Sequence, residues 1–196
     1  MPKIVDRAER RAAIVEAYLT VVARDGARGA TSRAVAAELG VATGSLWHYF
    51  ADIDELLLAA FERVYAQSTA RILERIHGIR GLDAVEAALR EMLPLDPYTQ
   101  NEATIVVAFW GRVASEPELG AIHNEVEENW RGILARHVAE AIADGELAPG
   151  APAADIVDTL LALTAAQQIE HVVHTAIGAP SRQWSLVQHA LAPWRA

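Results

Sequence analysis

Apolar residues recur every third or fourth position along nearly the whole chain, and nowhere alternate over a stretch long enough to make a strand. Between Asp6 and Asp25, residues Ile14, Tyr18, Val21 and Val22 stand at i, i+4, i+7 and i+8, one stripe of a helix that Gly26 should end. The same period predicts helices over Arg33–Leu39, from Thr43 through the aromatic run, and over Asp52–His77, Leu82–Leu93, Asn101–Ser115, Leu119–Ala143, Ala153–Ala176 and Ser181–Leu191. The later ones are divided by "HGIRG", "PLDP", "EPEL", "GELAPGAP" and "GAP", which are mostly rich in proline and glycine. The expected fold is therefore all-α, with about nine helices and no internal repeat.

A chain of 196 residues, 52% of them hydrophobic, is long enough for one sizeable core or two modest ones. It contains no cysteine, so disulfides and cysteine-held metals are excluded. The N-terminal stretch is basic and then amphipathic, without the apolar core of a secretory signal. Apolar runs such as "TIVVAFW" are too short to cross a bilayer, so a cytoplasmic protein with no membrane partner is expected. The net charge of -9 is unevenly spread: residues 1–51 sum to +2 and the rest to -11, an asymmetry that points to a nucleic-acid-facing end.

That end contains "SRAVAAELGVATGSLWHYF". Thr31 or Ser32 can cap a short helix, Gly40 can take the left-handed turn after it, and Thr43 can cap the next helix. Val35, Ala36, Leu39, Val41 and Leu46 are placed to pack the two at a steep angle, as in a helix-turn-helix. With Leu46 and Phe50 turned inward, Trp47, His48 and Tyr49 project, and Thr43, Gly44 and Ser45 form the leading end. Hydroxyls and backbone N–H groups suit a phosphate there, and His48 and Tyr49 can reach base edges. Packing of the rings under the next helix is the competing placement, above all for Trp47.

Residues 6–58, through "GARGATSRAVAAELGVATGSLWHYF" and "ADIDELLLAAF", resemble the TetR family of bacterial transcriptional regulators. The resemblance implies a helix-turn-helix DNA-binding domain over 1–51 and a ligand-binding and dimerisation domain over 52–196. It implies DNA contacts from Thr31, Arg33, Thr43, Gly44, Ser45, Trp47, His48 and Tyr49, with a double-stranded operator as partner. Two positions depart from the family pattern: Trp47 replaces the usual tyrosine, and Ile53 stands where a phosphate-clamping lysine is usual. Arg7, Arg10 and Arg11 are candidates to compensate for the latter.

In the C-terminal half, "ATIVVAFWGRVASEPELGAIHNEVEENWRGIL" is similar to the subgroup of the choline-responsive repressor BetI. Read from the residues, a sensing cavity should show polar and aromatic side chains interrupting apolar helix faces. Phe109, Trp110, His123 and Trp130 supply aromatic walls, and Thr164, Gln167, His171 and His174 recur along one predicted face. Tryptophans such as Trp110 and Trp130 are more often core, and Gln167, His171 and His174 can equally lie in a homodimer seam, which the resemblance places on the last two helices. Glu127 and Glu170 allow a cationic effector, and the tryptophan and phenylalanine content a flat apolar one. Glu170, His171 and His174 lack a further ligand at helical spacing, so no metal or other cofactor is expected. Nor does any nucleophile–base pair, phosphate loop or His-Glu-x-x-His motif suggest an enzyme. The expected function is regulation of transcription, as a repressor released by a small-molecule effector; the competing reading is a helical adaptor that binds only protein.

Overall fold

The computed structural model describes residues 2–113, 115–116 and 119–196, with side chains from Arg7 onward. Among the described residues there is no strand, only an isolated bridge between Leu147 and Arg195. Eight α-helices follow in order: α1 Pro2–Asp25, α2 Ser32–Leu39, α3 Ile53–Arg75, α4 Gly81–Met92, α5 Pro97–Val113, α6 Leu119–Ala143, α7 Ala153–Val172 and α8 Pro180–Leu191. A 3₁₀ helix, Thr43–His48, lies between α2 and α3, and a second, Ala192–Trp194, follows α8. Among the described residues no helix is long and apolar enough to cross a membrane.

Local chemistry accounts for the boundaries. Thr31 caps α2, its hydroxyl accepting from Ala34 N at 3.3 Å, and Gly40 ends it at φ 68°. Asp52 caps α3 by accepting from the backbone N–H groups of Asp54 (3.0 Å) and Glu55 (2.8 Å), while the Glu55 carboxylate reaches back to Ala51 N at 2.6 Å. Three expectations need correction. α5 starts at Pro97 rather than Asn101, because Asp96 caps it through Tyr98 N and Thr99 N and proline suits the first turn. α7 stops at Val172 rather than Ala176, since His174 adopts φ 58° and leaves the helical path. Thr43 caps nothing: it is the first residue of a 3₁₀ helix whose cap position is Ala42, closed by Ser45 N to Ala42 O at 2.9 Å.

Two apolar clusters hold the molecule together. The first joins α1, α2, the 3₁₀ helix and the leading half of α3, and it extends to Ile105 and Phe109 of α5 and Val126 of α6. The second gathers Ile72 and Ile76 with α4, the far half of α6, α7 and α8. α3 and α6 each contribute to both clusters. Phe61 of α3 and Phe109 of α5 stack with ring centroids 3.9 Å apart and planes 10° apart, which fixes these helices against each other.

Candidate functional site

Two regions combine uncommitted polar groups with exposure or a cavity. The first is the 3₁₀ helix and its approach. Leu46 (1% exposed) and Phe50 (2%) anchor it in the first cluster, while Trp47 is 39% exposed, His48 exposed, and Tyr49 half-buried against that cluster. Thr43 and Ser45 are half-buried and Gly44 exposed, and among the described residues the Thr43 and Ser45 hydroxyls, the Trp47 N–H, His48 and the Tyr49 hydroxyl carry no hydrogen bond. Thr31 and Arg33 stand exposed at the start of α2. Val41, expected between the helices, is instead 40% exposed: the turn made by Gly40 N to Ala37 O (3.1 Å) and Val41 N to Ala36 O (2.9 Å) lifts it out of the packing.

One basic side chain is built into this region. Arg11 of α1 donates to the Tyr49 carbonyl and to Glu55 at 3.0 Å, and its guanidinium lies 4.1 Å from the centre of the Phe50 ring. Ala51 N–H, and after it Arg11, hold the Glu55 carboxyl below its usual range. Arg11 thus ties the end of the 3₁₀ helix to α1 and α3, and is not available to replace a missing phosphate clamp. Ile53 is half-buried on the first cluster, so it packs at the position where the resemblance implies a lysine.

The second region is a cavity of about 340 Å³ between α3, α5, α6 and α7, bounded also by the end of α4. Phe61 and Tyr65 of α3, Trp110 of α5 and Trp130 of α6 form its aromatic wall. Trp110 donates its indole N–H to His123 Nδ1 at 3.2 Å, which leaves Nε2 to carry the proton of the neutral ring, facing Glu127 at 3.5 Å. Four carboxylates line the space, Glu91, Glu102, Glu127 and Asp158, against the single guanidinium of Arg131. Arg131 bonds Asp158 across the α6–α7 seam and Glu127 at 3.0 Å. Arg71, behind the wall, spans Glu91 (2.9 Å) and Glu102 (2.7 Å), yet burial pushes the Glu102 carboxyl above its usual range despite that pairing. Such a wall is rich in acceptors and π faces and poor in free cations.

The expected cavity residues therefore separate. Trp110, His123, Trp130 and Thr164 line the space. Phe109 does not, because stacking on Phe61 buries it completely in the first cluster. Gln167 lies one residue away from the lining side chain, about 60° around the helix from Thr164. It is buried toward α8, where its amide donates to Gln183 O at 3.5 Å. His171 and His174 face each other at 6.4 Å at the end of α7, outside the cavity, with His171 half-buried and His174 exposed. Burial, and after it His174, lowers the His171 pKa. Glu170 also lies outside the cavity. Gln168, Tyr65 and Asp158 do line the space, although periodicity alone did not single them out. The adjacent glutamines of "AAQQIEH" were the available signal for Gln168, whose amide donates to Met92 O at 2.6 Å.

Family models match both parts of the chain. The family model described as "Bacterial regulatory proteins, tetR family" matches residues 14–60. The one described as "BetI-type transcriptional repressor, C-terminal" matches residues 81–192. The chain is 32% identical over 137 residues to the HTH-type transcriptional regulator PksA of Bacillus subtilis, covering 69% of this chain and 67% of that one. It is 31% identical over 182 residues to the HTH-type transcriptional regulator BetI of Burkholderia mallei, covering 83% and 92% respectively. Among solved structures, a transcriptional regulator of Saccharomonospora viridis in complex with choline superposes with a TM-score of 0.84 at 18% identity, over 94% of this chain and 96% of that one. A transcriptional regulator of Rhodococcus sp. superposes with a TM-score of 0.77 at 24% identity, over 94% and 95%.

Proposed function

The chain belongs to the TetR family of bacterial transcriptional regulators, with a C-terminal half of the BetI type, and on that premise we propose that it is a homodimeric repressor released from its operator by a small organic cation. Family membership disfavours an enzyme or a protein-only adaptor. The DNA contacts in this reading come from Thr31, Arg33, Thr43, Gly44, Ser45, Trp47, His48 and Tyr49, whose polar heads are largely uncommitted. Two copies of the 3₁₀ helix would enter successive major grooves about 34 Å apart on a near-palindromic site. The pairing surface in this reading is α7 with α8, and Ile169 of α7 (46%) is exposed together with Val173 (58%) and Ile177 (46%) of the connection between the two helices. A DNA operator sets the protein's work in the cytoplasm.

The observation that carries the reading is that α3 serves both regions. Its Leu56, Leu57 and Ala60 hold the DNA-binding cluster, and within the next two turns Phe61, Val64, Tyr65 and Ser68 line the cavity. A ligand there acts on the helix that carries the recognition segment. The aromatic wall and the carboxylate excess favour a cation, since a cation gains from both π faces and negative charge. Choline bound to the Saccharomonospora viridis regulator supports the same chemical class. The test is fluorescence anisotropy with the DNA upstream of the protein's own gene, with and without choline and related ammonium compounds. Wild type should bind and Tyr49→Ala should bind more weakly, and a cation should raise Kd. No binding by wild type, or equal binding by Tyr49→Ala, refutes the regulator reading.

A further inference from the structure

Between Gly40 and Ala51 the chain has no Lys, Arg, Asn, Gln, Asp or Glu. Those are the residues with the characteristic hydrogen bonds to base edges: Arg and Lys two-pronged to guanine, Asn and Gln two-pronged to adenine, and Asp and Glu accepting from the cytosine amino group. What the segment presents is mostly apolar. Val41 is 40% exposed and Trp47 39%, and Ala42 and Gly44 beside them are also exposed. Apolar side chains beside them are buried, Val35 at 0% and Leu46 at 1%. Val41 is held outward by a turn with two backbone hydrogen bonds, and Trp47 by the burial of Leu46 and Phe50 on either side.

The major groove offers one apolar group, the C5-methyl of thymine. We propose that Val41 and Trp47 read thymine methyls, so that each operator half-site is specified by A·T pairs through methyl contact, with His48 supplying the polar contact. The inference rests on the reading of this chain as an operator-binding regulator, and it adds Val41 to the DNA-facing residues. Thymine methyls are also the only feature that separates thymine from uracil, which makes the chemistry separable from every phosphate and hydrogen-bond contact.

The test starts by enriching random double-stranded DNA on the full-length protein and resynthesising the selected site with deoxyuridine for thymidine, one position at a time. Each methyl that is read should weaken wild-type binding about fourfold, and about fifteenfold when removed from both half-sites. Val41→Ala and Trp47→Ala, both at exposed positions and checked by thermal melting, should bind the thymidine site more weakly and lose sensitivity to deoxyuridine at their own base. Equal binding of thymidine and deoxyuridine sites by wild type overturns the proposal, as does undiminished sensitivity in both variants. Failure to enrich any site refutes the regulator reading itself and the proposal with it. A selected site that is bound tightly but indifferent to deoxyuridine removes only the methyl readout.

Discussion

Replacing Ile53 by lysine should make operator binding markedly more dependent on salt. Ile53 is the first residue of α3, half-buried on the first cluster and flanked by the Asp52 cap. A lysine stem can lie over the same apolar surface and carry its ammonium outward, to where the family resemblance implies a phosphate clamp. Each phosphate neutralised steepens the plot of log K against log salt by about 0.9, so a dimer gains about 1.8. Between 50 mM and 200 mM salt that is about twelvefold more loss of affinity in the variant than in wild type. The substitution has opposing local costs: a cation in the first turn opposes the helix dipole by about 0.3–1 kcal/mol, whereas Asp52, Asp54 and Glu55 nearby favour it. Anisotropy titrations at four salt concentrations, with Ile53→Gln as the neutral control for lost packing, separate the charge from the packing. Ile53→Lys should steepen the slope and Ile53→Gln should leave it unchanged. Equal slopes for lysine and wild type would show that no phosphate lies within reach of this position.

Arg11→Ala should weaken DNA binding while leaving ligand-induced thermal shifts intact, because it unties Tyr49, Phe50 and Glu55 without touching the cavity; a loss of both would mean that the variant has unfolded more broadly. Ala103, fully buried on the cavity wall, can be enlarged to leucine at a cost of about 1–3 kcal/mol, and this should abolish release by a cation while DNA affinity is kept, read by anisotropy with and without choline. Gly178→Ala should lower Tm, because a Cβ there would press into the Glu170 carbonyl; an unchanged melt would show that the α7–α8 turn relaxes freely. His137, and after it the Gly81 N–H, hold the Glu140 carboxyl below its usual range. Its contribution is therefore present above the ordinary glutamate value of about 4.3 and is lost as pH falls through the lower folded value. Urea midpoints between pH 5 and pH 3 should fall more steeply for wild type than for Glu140→Gln, and parallel curves would refute the assignment.

The helical period and the punctuation were enough to place the eight α-helices, and the ends of α2 and α3 use side chains visible in sequence, Thr31, Gly40 and Asp52. Where the ends came out differently, a short-range contest decided. Asp96 outcompeted the later start of α5, and the 3₁₀ winding of Thr43–His48 moved the cap to Ala42. The cavity was less legible. Trp110, His123 and Trp130 show as aromatic interruptions, but which glutamine faces the space depends on a 100° step and on where α7 meets α4. His171 and His174 share the predicted face only if α7 continues, and it ends at Val172. Charge pairs such as Arg131 with Asp158 lie 27 residues apart, a separation that no local pattern encodes.

Coupling between the two regions has more than one physical route in this fold. Trp110 lines the cavity, and Arg112, two residues on along α5, pairs with Asp54 in the first turn of α3 at 2.7 Å. Phe109, the residue before Trp110 on the same helix, stacks on Phe61 of α3. A ligand that displaces Trp110 therefore loads α3 at two points, one beside the Asp52 cap and one at the cavity wall, instead of through α3 alone. Closely packed rings do not deform gradually, so the helix pair should respond by shifting as a unit. The ligand can release DNA only by the difference in its affinity for the two arrangements, and a hundredfold loss of operator affinity requires about 2.7 kcal/mol of such preference. Exposed ion pairs such as Arg112–Asp54, with side chains 37% and 42% exposed, contribute less than about 1 kcal/mol each. Most of the coupling must then reside in the buried contacts of Phe61, Phe109 and Trp110, and the ion pair sets direction more than magnitude.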